Sequence, residues 1–483
     1  MVSVHVTPFD IEACLRQLGL RQGDIVLLHS SLASMGWVEG GAGAVLDALL
    51  NVLGQEGTLV VPTFGDLGIL TRMVENHPHA VRSLHPLASV AAVGRRASEI
   101  CRDHWKAELA HGPDTPYARI AELGGWVLLL GVDQDRNTTL HTVEELLRLP
   151  YLRTTEEKTF ESPEGKVTKS WPLFPGPHRD FIASDALLRA SGKMIVGRIG
   201  SAVARLIKSR DLIDILVAHG RKNPAWALCD NPNCSDCVAQ NAALRRDRLS
   251  RESFRLAAGS HLAGRYVAEM IENLMAAGVT AVELDWVQGR YACSLGDRLA
   301  RICEEFRAAG IAVSALRAAA VTEKDESLLD TARTAGIKRL ILPLTARAGL
   351  AARTAEEREM EVSFFNVAIS SEVASQLLLG MQAEGLKPRF TFSGVGFARA
   401  GEEPFLKSYK RKLRRFVDQL DVADATFEGD ATPLAEGNCE IKEMISILRC
   451  AGFDGWFTLT GGRQGGEDLR QTCTRFMGLL DSM

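Results

Sequence analysis

Ala277-Gly278-Val279-Thr280-Ala281-Val282-Glu283-Leu284 packs a helix end, a glycine turn and a short apolar strand into one phrase, and the phrase recurs. It returns as Ala309-Gly310 leading to Leu316, Ala335-Gly336 leading to Leu342, Glu384-Gly385 leading to Phe392 and Ala451-Gly452 leading to Leu459. Glycine after a last helical turn accepts the left-handed backbone that other residues resist, so each phrase predicts a helix C-terminus followed by a strand. The wider gaps hold two more strand-like runs, Val362 to Ile369 and Leu420 to Phe427, and Phe254 to Ala258 precedes the series. Eight strands separated by helices over about 230 residues match a (β/α)8 TIM barrel at residues 250–483. The arginine-rich polar stretch from Gln240 to Glu252 marks its boundary.

Upstream, residues 1–245 read as a domain of another kind. Asp24 to His29, Gly57 to Pro62 and Gly125 to Gly131 are short, apolar on both faces and bounded by turn residues, as buried strands of an α/β sheet should be. Ala42 to Leu53 and Val90 to Cys101 read as helices, and Lys158 to Phe174, with Ser162-Pro163-Glu164-Gly165 at its centre, as an antiparallel hairpin. The whole chain of 483 residues, 46% hydrophobic and 24% charged, has globular usage. A net charge of −4 speaks against nucleic acid or an anionic membrane as partner. The N-terminus has no basic and apolar leader pattern, and no apolar run approaches the roughly 20 residues of a membrane span. With 10 cysteines scattered rather than framed for disulfides, a cytoplasmic protein is expected.

Ser30 and Ser31 end the first strand, and Gly36, Gly40 and Gly41 let the backbone turn and approach a ligand before a helix begins. Serines capping an ordinary strand-to-helix turn would look the same. The combination is more telling. His29-Ser-Ser-Leu-Ala-Ser-Met-Gly36, Gly40-Gly41, Val61-Pro-Thr63, Ser83 to Gly94, Gly112-Pro-Asp-Thr-Pro116, Asn137-Thr-Thr-Leu-His-Thr-Val-Glu144 and Gly197 to Ile207 follow in one order. In that order and spacing they resemble the aminoglycoside 3-N-acetyltransferase family, whose antibiotic N-acetyltransferase fold is distinct from GNAT; the resemblance covers about residues 8 to 240.

The resemblance implies acetyl-CoA as donor and direct transfer to an amine. It puts the family's histidine and glutamate on His141 and Glu144, Ser30, Ser31 and Gly41 at the CoA arm, and Thr63 with Ser89 along the thioester channel. Chemistry independently favours such a pair, because an imidazole with a pKa of about 6.5 can take a proton from an ammonium near neutral pH. Three residues apart on a helix, His141 and Glu144 share a face, which suits the carboxylate either to orient the ring or to contact a cationic substrate. Ser89 could instead cap the helix expected to follow it. The mixed charges of Lys158 to Asp180, where the family's acceptor-side loops lie, leave the acceptor amine open.

Cys229, Cys234 and Cys237, with His219 upstream, supply a Cys3His set for a tetrahedral zinc, although the spacing lacks two paired Cys-x-x-Cys halves and plain thiols are the alternative. The barrel resembles the xylose-isomerase-like barrels in repeat pattern, yet its strand ends are poor in metal ligands. His261 is its one histidine, Asn366 stands after what reads as the fourth strand, Thr460 after the last, and Glu283, Asp285, Asp424 and Glu428 remain. Hard cations need several oxygen ligands, so a barrel without catalytic metal is expected. The reading is a two-domain CoA-dependent N-acetyltransferase acting on a small-molecule amine. The alternatives are a sugar or keto-acid isomerase or epimerase built on the barrel, and a non-catalytic binding or regulatory protein.

Overall fold

The computed structural model describes residues 5–176, 178–318, 325–367, 369–461 and 467–483. The chain divides into two compact units, Met1–Gln240 and Asn241–Met483. The division falls inside a continuous helix, Ser235–Leu249, so the polar stretch expected at the boundary is helical.

Unit 1 is built on a seven-stranded mixed sheet. Its strands are β1 (Ile25–Ser30), β2 (Thr58–Pro62), β3 (Val81–Arg82), β4 (Val90–Gly94), β5 (Trp126–Leu130) and, after a separate hairpin of β6 (Lys158–Ser162) and β7 (Gly165–Lys169), β8 (Ile195–Ile199) and β9 (Ala202–Lys208). The order across the sheet is β8-β9-β5-β1-β2-β4-β3. The central β5, β1 and β2 run parallel, and β9 and β4 flank them antiparallel. All three central strands are buried on both faces, which is why they read as unbroken apolar runs.

The helix expected over Val90 to Cys101 is not formed as such. Val90–Gly94 is a strand whose first four residues are buried, paired antiparallel from Pro62↔Val90 to Thr58↔Gly94, and only Ala97–Cys101 is helical. Alanine's helix preference is worth at most a few tenths of a kcal/mol per residue, less than the ladder and burial offered by the slot beside β2. Ser89 therefore precedes a strand and caps no helix.

Unit 2 is a closed barrel of β10 (Arg255–Gly259), β11 (Ala281–Leu284), β12 (Ala312–Arg317), β13 (Arg339–Pro343), β14 (Glu361–Phe365), β15 (Arg389–Ser393), β16 (Val417–Val422) and β17 (Trp456–Leu459). Each pairs parallel with the next, and β10 closes on β17. Every strand run read from the sequence is present. The glycines that signalled them, Gly278, Gly310, Gly336, Gly385 and Gly452, have φ between +66° and +85°. Asn366 follows the fifth strand, not the fourth, and Ala368 of that run lies outside the described residues. No helix among the described residues is long and apolar enough to cross a membrane.

Candidate functional site

His141 and Glu144 lie on the helix Thr139–Leu147, which follows β5 through a turn closed by Asn137. The Asn137 amide donates to Gln134 Oε1 at 2.9 Å, and its Oδ1 accepts from the Thr139 N–H at 3.2 Å, satisfying one of the helix's open donors. Leu140 and Val143 anchor this helix in the core, which turns the glutamates inward and leaves His141 at the edge.

The expected pairing is met: His141 Nδ1 lies 2.8 Å from Glu144 Oε2. Glu144 is fully buried and carries two further partners, the Arg179 guanidinium on Oε1 and the Tyr151 hydroxyl, which donates at 3.3 Å. Burial alone would raise its pKa, but His141 and Arg179 outweigh it and hold the carboxyl below its usual value. Arg179 is itself almost wholly buried and stacks over the Tyr151 ring at 4.8 Å.

A second pair lies beneath the first. His111 Nδ1 is 3.0 Å from Glu145 Oε1, and the His111 amide donates to Glu145 Oε2 at 2.9 Å. The two imidazole rings, His111 and His141, are 5.2 Å apart. Here burial outweighs the backbone amides of His111 and Gly112 and the nearby His141, and pushes Glu145 up to about 8, while burial holds His111 well below the ordinary histidine value. The inner pair is therefore neutral at pH 7, and the outer one is charged on Glu144. Sequence reasoning did not single out His111, Glu145, Tyr151 or Arg179 as partners. The Glu144-Glu145 doublet was the one available signal, since adjacent helical positions cannot share a face.

His141 lines a cavity of about 550 Å³ together with His29, Ser30, Ser31, Phe64, Asp66, Asn137, Thr138 and Phe181. Ser30, Ser31 and Leu67 also line an adjoining cavity of about 600 Å³, whose wall continues through Gly36, Trp37 and Gly41. Gly40 and Gly41 have φ of +76° and +61°, and a Cβ on Gly41 would meet nothing within 4 Å, so conformation and open space, not crowding, call for glycine there. Thr63 and Ser89 do meet, their hydroxyls 3.0 Å apart, but both are buried and neither is among the lining residues. They are tied to Arg82, which donates to Thr63 Oγ1 at 3.2 Å and to Ser89 Oγ at 3.2 Å. The Lys158–Lys169 hairpin is not among the lining residues either. The charged residues lining the His141 cavity are Asp66, Asp135 and Arg136, and each acid has an arginine partner, Arg72 or Arg136.

Cys229, Cys234 and Cys237 come together, but His219 does not join them. His178 takes the place given to His219, and the four ligand atoms lie within 4.8 Å of one another. In the barrel, three of the four carboxylates left over as ligand candidates are engaged by protein donors. Arg317 crosses the interior to donate to Glu283 at 2.5 Å and to both oxygens of Asp421 at 3.1 and 2.7 Å. His261 uses one ring nitrogen on Asp285 and the other on the Thr460 carbonyl at 2.9 Å, while Asp424 accepts from the Gly437 and Cys439 amides at 3.0 Å and Glu428 is exposed.

A mixed α/β unit with a histidine–carboxylate pair on the wall of a cavity is of the enzyme class. Residues 27–67 and 64–219 match the family model for aminoglycoside 3-N-acetyltransferase. The chain is 33% identical over 228 residues to aminoglycoside N(3)-acetyltransferase IV of Salmonella sp, covering 85% of that protein and 44% of this one. It is 31% identical over 255 residues to aminoglycoside N(3)-acetyltransferase VII of Streptomyces paromomycinus, covering 88% of that protein and 42% of this one. The crystal structure of aminoglycoside acetyltransferase AAC(3)-IVa, as apoenzyme, aligns with 30% identity and a TM-score of 0.46, over 99% of that chain and 50% of this one. The chain belongs to the aminoglycoside 3-N-acetyltransferase family and is an acyltransferase.

Proposed function

We propose that this protein transfers an acetyl group from acetyl-CoA to an amine of an aminoglycoside or amino-sugar-like small molecule, with His141 as general base and Glu144 orienting it. The observation that carries this reading is the 2.8 Å bond between His141 Nδ1 and Glu144 on the wall of a cavity. With Nδ1–H donated to a carboxylate, Nε2 is the basic nitrogen, as required for taking a proton. The amine nitrogen attacks the thioester carbonyl, the new C–N bond forms as the C–S bond breaks, the amine's proton passes to His141 Nε2, and CoA leaves as thiolate. Ser30, Ser31 and Gly41 line the adjoining cavity and are assigned to the donor. Thr63 and Ser89 are assigned an indirect part, their mutual bond bracing the stretch whose residues Pro62 and Phe64 line the cavity.

The test is release of free thiol from acetyl-CoA across a panel of amines that includes aminoglycosides and amino sugars. Amine-dependent release from at least one of them is expected. Release that no amine stimulates refutes the reading.

For the barrel we propose a recognition module without catalytic metal, in place of a sugar or keto-acid isomerase. The support is Arg317, whose guanidinium donates to both Glu283 and Asp421, and carboxylate oxygens so occupied are poor ligands for a hard cation. Metal-dependent isomerisation of a sugar or keto-acid by the full-length protein would overturn this.

A further inference from the structure

We infer that His178, Cys229, Cys234 and Cys237 bind one zinc ion, and that this ion holds Arg179 in place against Glu144. Zinc at about 2.3 Å from sulfur and 2.0 Å from nitrogen spans a tetrahedron with edges of about 3.5 to 3.8 Å. His178 Nδ1 already lies 3.1 Å from Cys237 Sγ and 3.5 Å from Cys234 Sγ, and no pair among the four ligand atoms is farther apart than 4.8 Å. The set is therefore gathered to within a small adjustment of coordination distance. Three thiolates and one imidazole suit zinc and leave no position open for substrate, the pattern of a structural site. The surroundings also fit. The Cys229 amide points at Cys237 Sγ at 3.4 Å, which would support a thiolate there, and the Gln240 amide donates to the His178 carbonyl at 3.4 Å.

The segment that carries the imidazole also carries the arginine. Residue 178 would be fixed by the metal, Arg179 binds the buried Glu144, and the Asp180 amide donates to the Ala227 carbonyl at 2.8 Å, so the segment is stitched to the chain leading into Cys229. Nothing in this arrangement reaches the reacting atoms. Arg179 is a positioning residue, acting on His141 through Glu144, and the ion positions Arg179. The consequence for turnover rests on His141 being the base, whereas the zinc content does not.

The experiment uses the full-length protein. Elemental analysis after purification without chelator should find about one zinc per chain, and cobalt exchanged into the site should show the visible absorption of a tetrahedral thiolate complex. His178→Ala and Cys234→Ser should lose the metal, His219→Ala should keep it, and His178→Cys, which restores a fourth ligand, should regain it. In the metal-depleted variants kcat should fall about tenfold or more while KM for acetyl-CoA stays within about twofold, because Arg179 is not among the residues lining the donor cavity, and His178→Cys should recover kcat. Should Cys234→Ser fail to fold, the zinc content and cobalt spectrum of the unsubstituted protein decide the first claim. Protein without zinc, or zinc retained by His178→Ala, overturns the site. Zinc present but with kcat and KM for acetyl-CoA shifting together on its loss overturns the link to Glu144. Zinc bound as expected in a protein that acetylates no amine upholds the site and removes the acyltransfer reading instead.

Discussion

Replacing Glu144 by glutamine exposes the logic of the histidine pair. In the wild type one carboxylate oxygen accepts from His141 Nδ1 at 2.8 Å, and the other takes the Arg179 guanidinium. A glutamine in the same place must turn its oxygen to Arg179, which can only donate, so its NH2 faces His141. Nδ1 then has to accept, the ring proton moves to Nε2, and the nitrogen meant to receive the amine's proton is occupied. The loss should approach that of His141→Ala, roughly 10² to 10⁴ in kcat, rather than the smaller loss that charge removal alone suggests. Stability should separate the two variants. His141 is partly exposed, and its removal leaves Glu144 paired with Arg179, whereas Glu144→Gln leaves an almost wholly buried guanidinium without its counter-ion, a change of about 3 to 5 kcal/mol. The assays are steady-state thiol release from acetyl-CoA and urea unfolding of both variants beside the wild type. A Glu144→Gln enzyme within about threefold of wild-type turnover refutes the tautomer argument. One within about 1 kcal/mol of wild-type stability refutes the buried-pair argument.

Three further outcomes are expected. Glu145, with an ordinary value of 4.5 and a folded value of about 8, keeps its proton in the folded state and loses it in the unfolded chain, so its contribution to stability is full below about pH 4.5 and drains as pH rises to about 8. The buried His29, His85, His104 and His111, all held below the ordinary histidine value, pull the other way near pH 6.5 and fade by pH 8, so the Glu145 effect, a loss of up to about 1.4 kcal/mol per unit, is read as the difference in slope between wild type and Glu145→Gln in unfolding curves from pH 6.5 to 8, and equal slopes would refute it. Arg317→Met should destabilise the barrel by about 3 to 5 kcal/mol by leaving the buried Glu283 and Asp421 without their counter-ion, bridged by Gln419 across the interior; adding Glu283→Gln and Asp421→Asn should restore much of it, and a single variant as stable as wild type would show that the guanidinium is not what holds them there. Gly41→Val should raise KM for acetyl-CoA more than KM for the amine, since it narrows a cavity that His141 does not line and strains a backbone at φ +61°; equal changes in both would count against the donor assignment.

By itself the amino-acid sequence determined what short-range periodicity can carry. Five barrel strands could be read from glycine turns followed by apolar runs and three more from the apolar runs alone, because a left-handed helix end and a buried strand each need particular residues at adjacent positions. The i, i+3 geometry of one helix likewise predicted that His141 would meet Glu144. Tertiary structure decided everything that depends on which distant segments meet. Val90–Gly94 is a strand because an edge beside β2 was open to it, not because of its own preferences. The cysteines face His178 rather than the nearer His219 because backbone pairing brings residue 180 to residue 227. Arg179, Tyr151 and the His111–Glu145 pair join the site across long stretches of chain, and Arg317 reaches Asp421 across the barrel interior. A buried charge must find its partner wherever the fold supplies one, and no local pattern records where that is.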